Sequence, residues 1–166
     1  MEFFDTYREI LRCELVYATG CTEPIAIAYA AAVARQTLGA MPERLVVLCS
    51  GNIVKNVKSV IVPGTGGLRG IEAAALIGAV GGDAGAGLNV LHGVTDAHRA
   101  ETAALLDSGA CSVGLLESEE PLHIRLSAEG GAHRAEVEIR GSHTNIVGRR
   151  LDGEELAAGG AGEQQS

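Results

Sequence analysis

Apolar residues recur at helical spacing near the start of the chain, at Phe4, Tyr7, Leu11 and Leu15. This spacing predicts an amphipathic helix over about residues 4–18, stopping at Gly20. The segment Gly20-Cys21-Thr22-Glu23-Pro24 then interrupts the pattern with polar residues. Thr22 suits an N-cap, and Pro24 suits a first helical turn. The run IAIAYAAAVARQTL that follows is apolar on nearly every face. It predicts a buried, Ala-rich helix that Gly39 terminates.

RLVVLCS, residues 44–50, is short, apolar and rich in β-branched residues, and predicts a strand. SGNIVKN reads as a polar loop or irregular turn, and VKSVIVPGTG as a return to strand ending in a glycine loop. GIEAAALIGAV, about residues 70–80, has the composition of a buried helix, and GGDAGAG that of a turn or loop. Thr95 or Asp96 is placed to cap a helix running to about Ser108. The last third changes period. CSVGLLE, HIRLSAE and HRAEVEIRG alternate apolar with polar, the pattern of antiparallel strands, with Gly130-Gly131 as a hairpin turn. From Leu151 the sequence LDGEELAAGGAGEQQS offers no core-forming pattern and reads as a flexible acidic, Gly-rich tail.

The fold class expected is therefore α+β (mixed α/β), with Ala-rich helices packed on one face of a sheet and an antiparallel β-meander in the last third. One domain is expected over residues 1–150, followed by the tail over 151–166.

Composition narrows the function classes. The 166 residues are 46% hydrophobic and only 3% aromatic, without Trp, so the core must be built from Ala, Val, Ile and Leu. The net charge of -8, with Lys55 and Lys58 as the sole lysines, argues against nucleic-acid binding and against an anionic membrane surface. No apolar run approaches the roughly 20 residues that span a bilayer. The start MEFFDTYREILR lacks the basic and apolar regions of a secretion signal, so a cytoplasmic location is expected. Cys13, Cys21, Cys49 and Cys111 are then reduced thiols. They contain no CxxC and make no local metal clip.

Four polar, glycine-bearing segments remain as places for chemistry: 20–24, 50–56, 63–67 and 141–145. Each lies at the end of an expected helix or strand, where sites are usually built. Cys21, next to a helix N-terminus, sits where a thiolate is favoured as base, nucleophile or metal ligand. The plainer account is a small buried residue in a tight turn. Cys13, Cys49 and Cys111 fall in periodic segments and read as core. Lys55, between Asn52 and Asn56, suits a carboxylate or a proton-transfer role, against the alternative of a solvated lysine. His143, with Thr144 and Asn145, suits substrate orientation or proton transfer, against a hydrogen-bonded structural histidine. His92, His98, His123 and His133 share no spacing and read as surface or structural. Glu23 offers a partner for an ammonium group.

Taken in order, GCTEPIAIAYAAAVA, SGNIVKNVKSVIVPGTG, GIEAAALIGAVGGDAGAGLNVL and GSHTNIV resemble the L-cysteine desulfidase / L-serine dehydratase alpha-like 4Fe-4S family (UPF0597 type), in its N-terminal part. The resemblance runs from about Gly20 to Val147. It implies an α,β-elimination lyase that converts L-cysteine to pyruvate, ammonia and hydrogen sulfide, or L-serine to pyruvate and ammonia. A 4Fe-4S cluster would serve as Lewis acid. Carried onto this sequence, it implies catalytic roles for Cys21, Lys55 and His143, with Cys21 also a candidate single cluster ligand. Thr22, Glu23, Asn52, Asn56, Thr65, Gly66, Thr144 and Asn145 would bind substrate. Family members are longer and hold their remaining cluster cysteines in a C-terminal half, so this chain alone is expected not to hold the cluster. The expected partners are a small amino acid and either a second copy or a cluster-bearing chain. A non-catalytic small amino-acid-binding module is the alternative.

Overall fold

The computed structural model describes residues 22–57, 60–62, 65, 67–120, 122–141 and 145–156. The expected helix over residues 4–18 and the final residues of the expected tail lie outside them. Helix α1, Thr22–Leu38, carries the Ala-rich run, with Pro24 in its first turn. Its residues Ala26 to Ala34 are all buried, as a helix apolar on every side requires. Gly39, at φ 84°, ends it in the left-handed conformation that glycine adopts without strain.

Strand β1, Arg44–Ser50, follows as expected. The next segment departs from expectation. Gly51–Val57 is a short helix, α2, not a loop. Ile53 and Val57, one turn apart, anchor it in the core, and tertiary burial overrides the poor helix propensity of glycine and asparagine. VKSVIVPGTG likewise contributes no sheet strand among its described residues. Ile61 instead makes an isolated antiparallel bridge with Arg69. Helix α3, Gly70–Gly81, has its buried apolar body where the sequence indicates. The expected GGDAGAG loop contains a 3-10 turn, Ala84–Asn89, whose first turn is capped by the Asp83 carboxylate accepting from the Gly85 N–H. Helix α4, Asp96–Ser108, starts at a Thr95/His98 capping box and stops at Gly109 (φ 76°).

Strands β2, Cys111–Leu116; β3, His123–Gly130; β4, His133–Arg140; β5, Ile146–Leu151; and β6, Glu154–Glu155 complete one six-stranded sheet in the order β2-β1-β3-β4-β5-β6. The expectation of antiparallel strands holds from β3 onward. CSVGLLE departs from it, because β2 pairs parallel to β1. The chain returns to β1's edge through three helices, and such a crossover delivers a parallel strand. The β3–β4 turn is displaced by one residue: Gly130 still pairs with His133, so Gly131-Ala132 forms the turn. Nor does the tail begin at Leu151. Asp152-Gly153 turns the chain, and Leu151 pairs with Glu154.

The helices cover one face of this sheet. Leu45, Val47 and Cys49 on β1 oppose Ala128, Leu126 and Ile124 on β3, and all six are buried with Ala135, Val137 and Ile139 of β4. The alternate positions on the other face are polar or charged on β3 and β4, among them Arg125, Ser127, Glu136 and Glu138. Helix α1 lies on β3 and β4, α3 packs against α1, and α4 packs on α3.

Candidate functional site

The register fixes which ends of the strands coincide. β1, β2 and β4 point the same way and finish at one edge of the sheet, where β3 and β5 begin. Helix α2 leaves that edge directly from β1, and the segment after Gly141 leaves it from β4. The helices can be oriented from their closest approaches. The Leu38 side chain lies 3.3 Å from where a Cβ on Gly130 would stand, so α1 ends at the opposite edge. Seventeen helical residues span about 25 Å, as do strands of this length. The start of α1 at Thr22 therefore returns to the first edge. Helix α3 runs parallel to α1, because Gly78 packs on Ala28 and Gly82 on Ala32. Its start at Gly70, and the turn before it, lie at that same edge.

Described parts of all four sequence segments thus collect at one end of the molecule: the start of α1, the whole of α2, the turn before α3, and the β4–β5 connection. Asn52, Lys55 and Asn56 are exposed on α2. Asn145 is exposed at the close of the β4–β5 connection, its side-chain amide donating to the Arg140 carbonyl (2.8 Å). Arg140 N–H donates in turn to the Asn145 carbonyl, and Gly141 N–H to Leu122, which pins both ends of this connection to the sheet. Thr65 behaves differently. It is buried, and its hydroxyl donates to the Val62 carbonyl (2.6 Å) and accepts from the Leu68 N–H (3.1 Å). The role visible for Thr65 is to hold the turn before α3. Cys21, Gly66, His143 and Thr144 lie outside the described residues, as do the side chains of Thr22 and Glu23.

One polar cluster at this edge was not singled out by sequence reasoning. His123, the first residue of β3, is buried. Its Nε2 lies 2.5 Å from the Glu138 carboxylate, and its Nδ1 2.8 Å from the Ser118 hydroxyl. Burial works against the charge on Glu138, but the His123 hydrogen bond and the nearby Arg125, His123 and Arg140 charges prevail and hold its carboxyl below the usual range. No local spacing announced the pair: it is the register that makes His123 and Glu138 diagonal neighbours on adjacent strands.

The described cysteines, Cys49 and Cys111, are free thiols. Burial, reinforced by Cys111, pushes the Cys49 thiol up to about 12; burial, reinforced by Glu72, does the same to Cys111. Both therefore stay protonated near neutrality. Among the described residues no group of three or more His, Cys, Asp and Glu side chains is placed to hold a metal ion. The described residues do not fit a 4Fe-4S cluster. Also among them, no helix is long and apolar enough to cross a membrane.

No family model and no solved structure match the chain. It is similar to several curated proteins named UPF0597 protein. One from Lachnoclostridium phytofermentans is 50% identical over 145 residues, which is 87% of this chain and 35% of that protein. One from Finegoldia magna is 50% identical over 85% of this chain and 34% of its own length, and one from Treponema denticola 47% identical over 86% and 33%. The chain thus spans about a third of the length of the curated relatives it matches. These likenesses support kinship with the UPF0597 family.

Proposed function

We propose, from that kinship as premise, that this chain is the substrate-binding part of an L-cysteine-desulfidase-like lyase that requires a further stretch of polypeptide to become active. The observation that supports this reading is the gathering of the described parts of the four sequence segments at one end of the sheet. Binding groups for an amino acid have to surround a small molecule from several sides, and a single edge fed by four elements permits that. In this reading Lys55, Asn52 and Asn56 receive the substrate carboxylate, and Glu23 receives its ammonium group. Cys21, Lys55 or His143 removes the α-proton. Loss of the β-thiol as hydrogen sulfide leaves aminoacrylate, which tautomerises and takes up water to give pyruvate and ammonia. With L-serine the leaving group is water.

Co-expression of this chain under anaerobic conditions with the rest of the Lachnoclostridium relative tests the activity. Pyruvate and sulfide should be released from L-cysteine, or pyruvate and ammonia from L-serine. Lys55→Ala should lower kcat/KM by at least about tenfold, since one charge-assisted hydrogen bond is worth roughly 1.5–3 kcal/mol. A well-folded complex that releases pyruvate from neither amino acid rules the lyase out. The second reading is an amino-acid-binding module without turnover. Calorimetry on the chain alone discriminates: L-cysteine or L-serine should bind if the module is self-sufficient, and silence with both removes it.

A further inference from the structure

Three large apolar side chains stand exposed among the described residues: Leu115 (64% exposed), Ile61 (44%) and Val147 (40%). Single exposed apolar residues need no explanation, but these three share one end of the molecule. Leu115 is the penultimate residue of β2, and its side chain lies 3.7 Å from where a Cβ on Gly51 would stand, at the start of α2. Ile61 sits in the bridged segment just before α3. Val147 is the second residue of β5, beside the end of β4. All three belong to the end of the molecule where the candidate site lies. β2 and β5 are four strands apart in the sheet, so the apolar positions stretch across about 19 Å. Around them the exposed surface is polar: Asn52, Lys55, Asn56, Glu117, Glu119 and Asn145. Exposed apolar side chains mixed with polar ones are what an interface between folded units is built from.

We infer that Ile61, Leu115 and Val147 mark the face on which the remainder of the longer family polypeptide docks, closing the candidate site between the two parts. The occupant is argued from length. The curated relatives carry about twice as much additional chain as they share with this one, and that chain must meet the shared part somewhere. The opposite edge, with the β3–β4 turn at Gly131-Ala132, presents no exposed large apolar side chain among the described residues. The inference rests on the reading that this chain functions as part of a larger whole, but association is measured without substrate or turnover, so either can fail without the other.

The test co-expresses this chain with the remaining two thirds of the Lachnoclostridium relative and follows association by size-exclusion chromatography. The wild-type chain and an Ala132→Asp control at the far edge should co-elute with the partner. A chain carrying Ile61→Asp, Leu115→Asp and Val147→Asp together should bind at least about tenfold more weakly, since charges would be buried in an apolar interface. Circular dichroism and thermal melting confirm that the variant is folded. Leu115→Asp alone serves if the triple variant does not fold, because Leu115 is the most exposed of the three. Unchanged co-elution of the folded variant overturns the inference, as does failure of the wild-type parts to associate. So does a self-association of the chain alone that the same substitutions abolish, which would make a second copy the occupant.

Discussion

Glu138 illustrates what a single residue does at the candidate edge. Its side chain is 13% exposed and shared between His123 Nε2 at 2.5 Å and Arg125 at 3.6 Å. Glu138→Gln removes the charge from a mostly buried hydrogen bond and should cost about 1–3 kcal/mol in urea unfolding at neutral pH. The pH dependence follows from the direction of its shift. The carboxyl is more acidic folded than unfolded, so its stabilisation is complete above the ordinary glutamate value of 4.5 and is lost as pH falls through the lower folded value. The wild type should therefore lose more stability than Glu138→Gln between pH 5.5 and 3.5. Equal losses in parallel melts would show that Glu138 is not coupled to folding. Asp152 is held acidic in the same sense by the His133 hydrogen bond and the Arg134 N–H, and fixes the β5–β6 turn against the start of β4.

At the scale of elements, the α1–α3 pair orients everything else. A Cβ on Gly78 would stand 2.2 Å from the Ala28 carbonyl oxygen, a distance no packed structure tolerates. The two helices touch backbone to backbone there, and their parallel course brings both N-termini to the site edge. Gly78→Ala must push them apart and should cost about 3 kcal/mol, the upper part of the usual overpacking range. A melting temperature within a degree or two of wild type would mean that the helices are not in such contact. The elements also show where local pattern informs and where it misleads. Long apolar runs announced α1, α3 and β1, and a cap at Thr95 or Asp96 announced α4. Helix α2 was hidden because Asn52, Lys55 and Asn56 hide the two buried positions Ile53 and Val57. The β5–β6 hairpin was hidden by acidic residues, although Asp152-Gly153 carries a strong hairpin signature.

At the scale of the whole molecule, the described helices cover one face of the sheet, and the described parts of the chemistry-bearing segments lie at one end. If the lyase reading holds, activity belongs to the complex and not to the part: this chain alone should release no pyruvate from L-cysteine, and adding the rest of the relative should restore release. Coupled lactate dehydrogenase assays of the separate and combined parts measure this directly, and turnover by the isolated chain would refute the division of labour. The candidate segments themselves were legible because they interrupt apolar runs with glycine, asparagine, lysine and threonine. Their roles were less so. Thr65 reads in sequence like Asn52 or Asn145, and only its buried hydroxyl, spent on Val62 and Leu68, sets it apart.

The sequence by itself determined the α+β class, the Ala-rich central helix and its end at Gly39, the threonine-capped helix running to about Ser108, and the alternating β3 and β4 strands. These follow from periodicity, capping and φ preferences that act over a few neighbouring residues. Only the tertiary structure decided that β2 runs parallel beside β1, that Gly51–Val57 coils into a helix, that His123 meets Glu138, and that the described parts of four separate segments share one edge. Those outcomes depend on contacts between residues far apart in the chain, and no local spacing encodes which distant surfaces will bury each other.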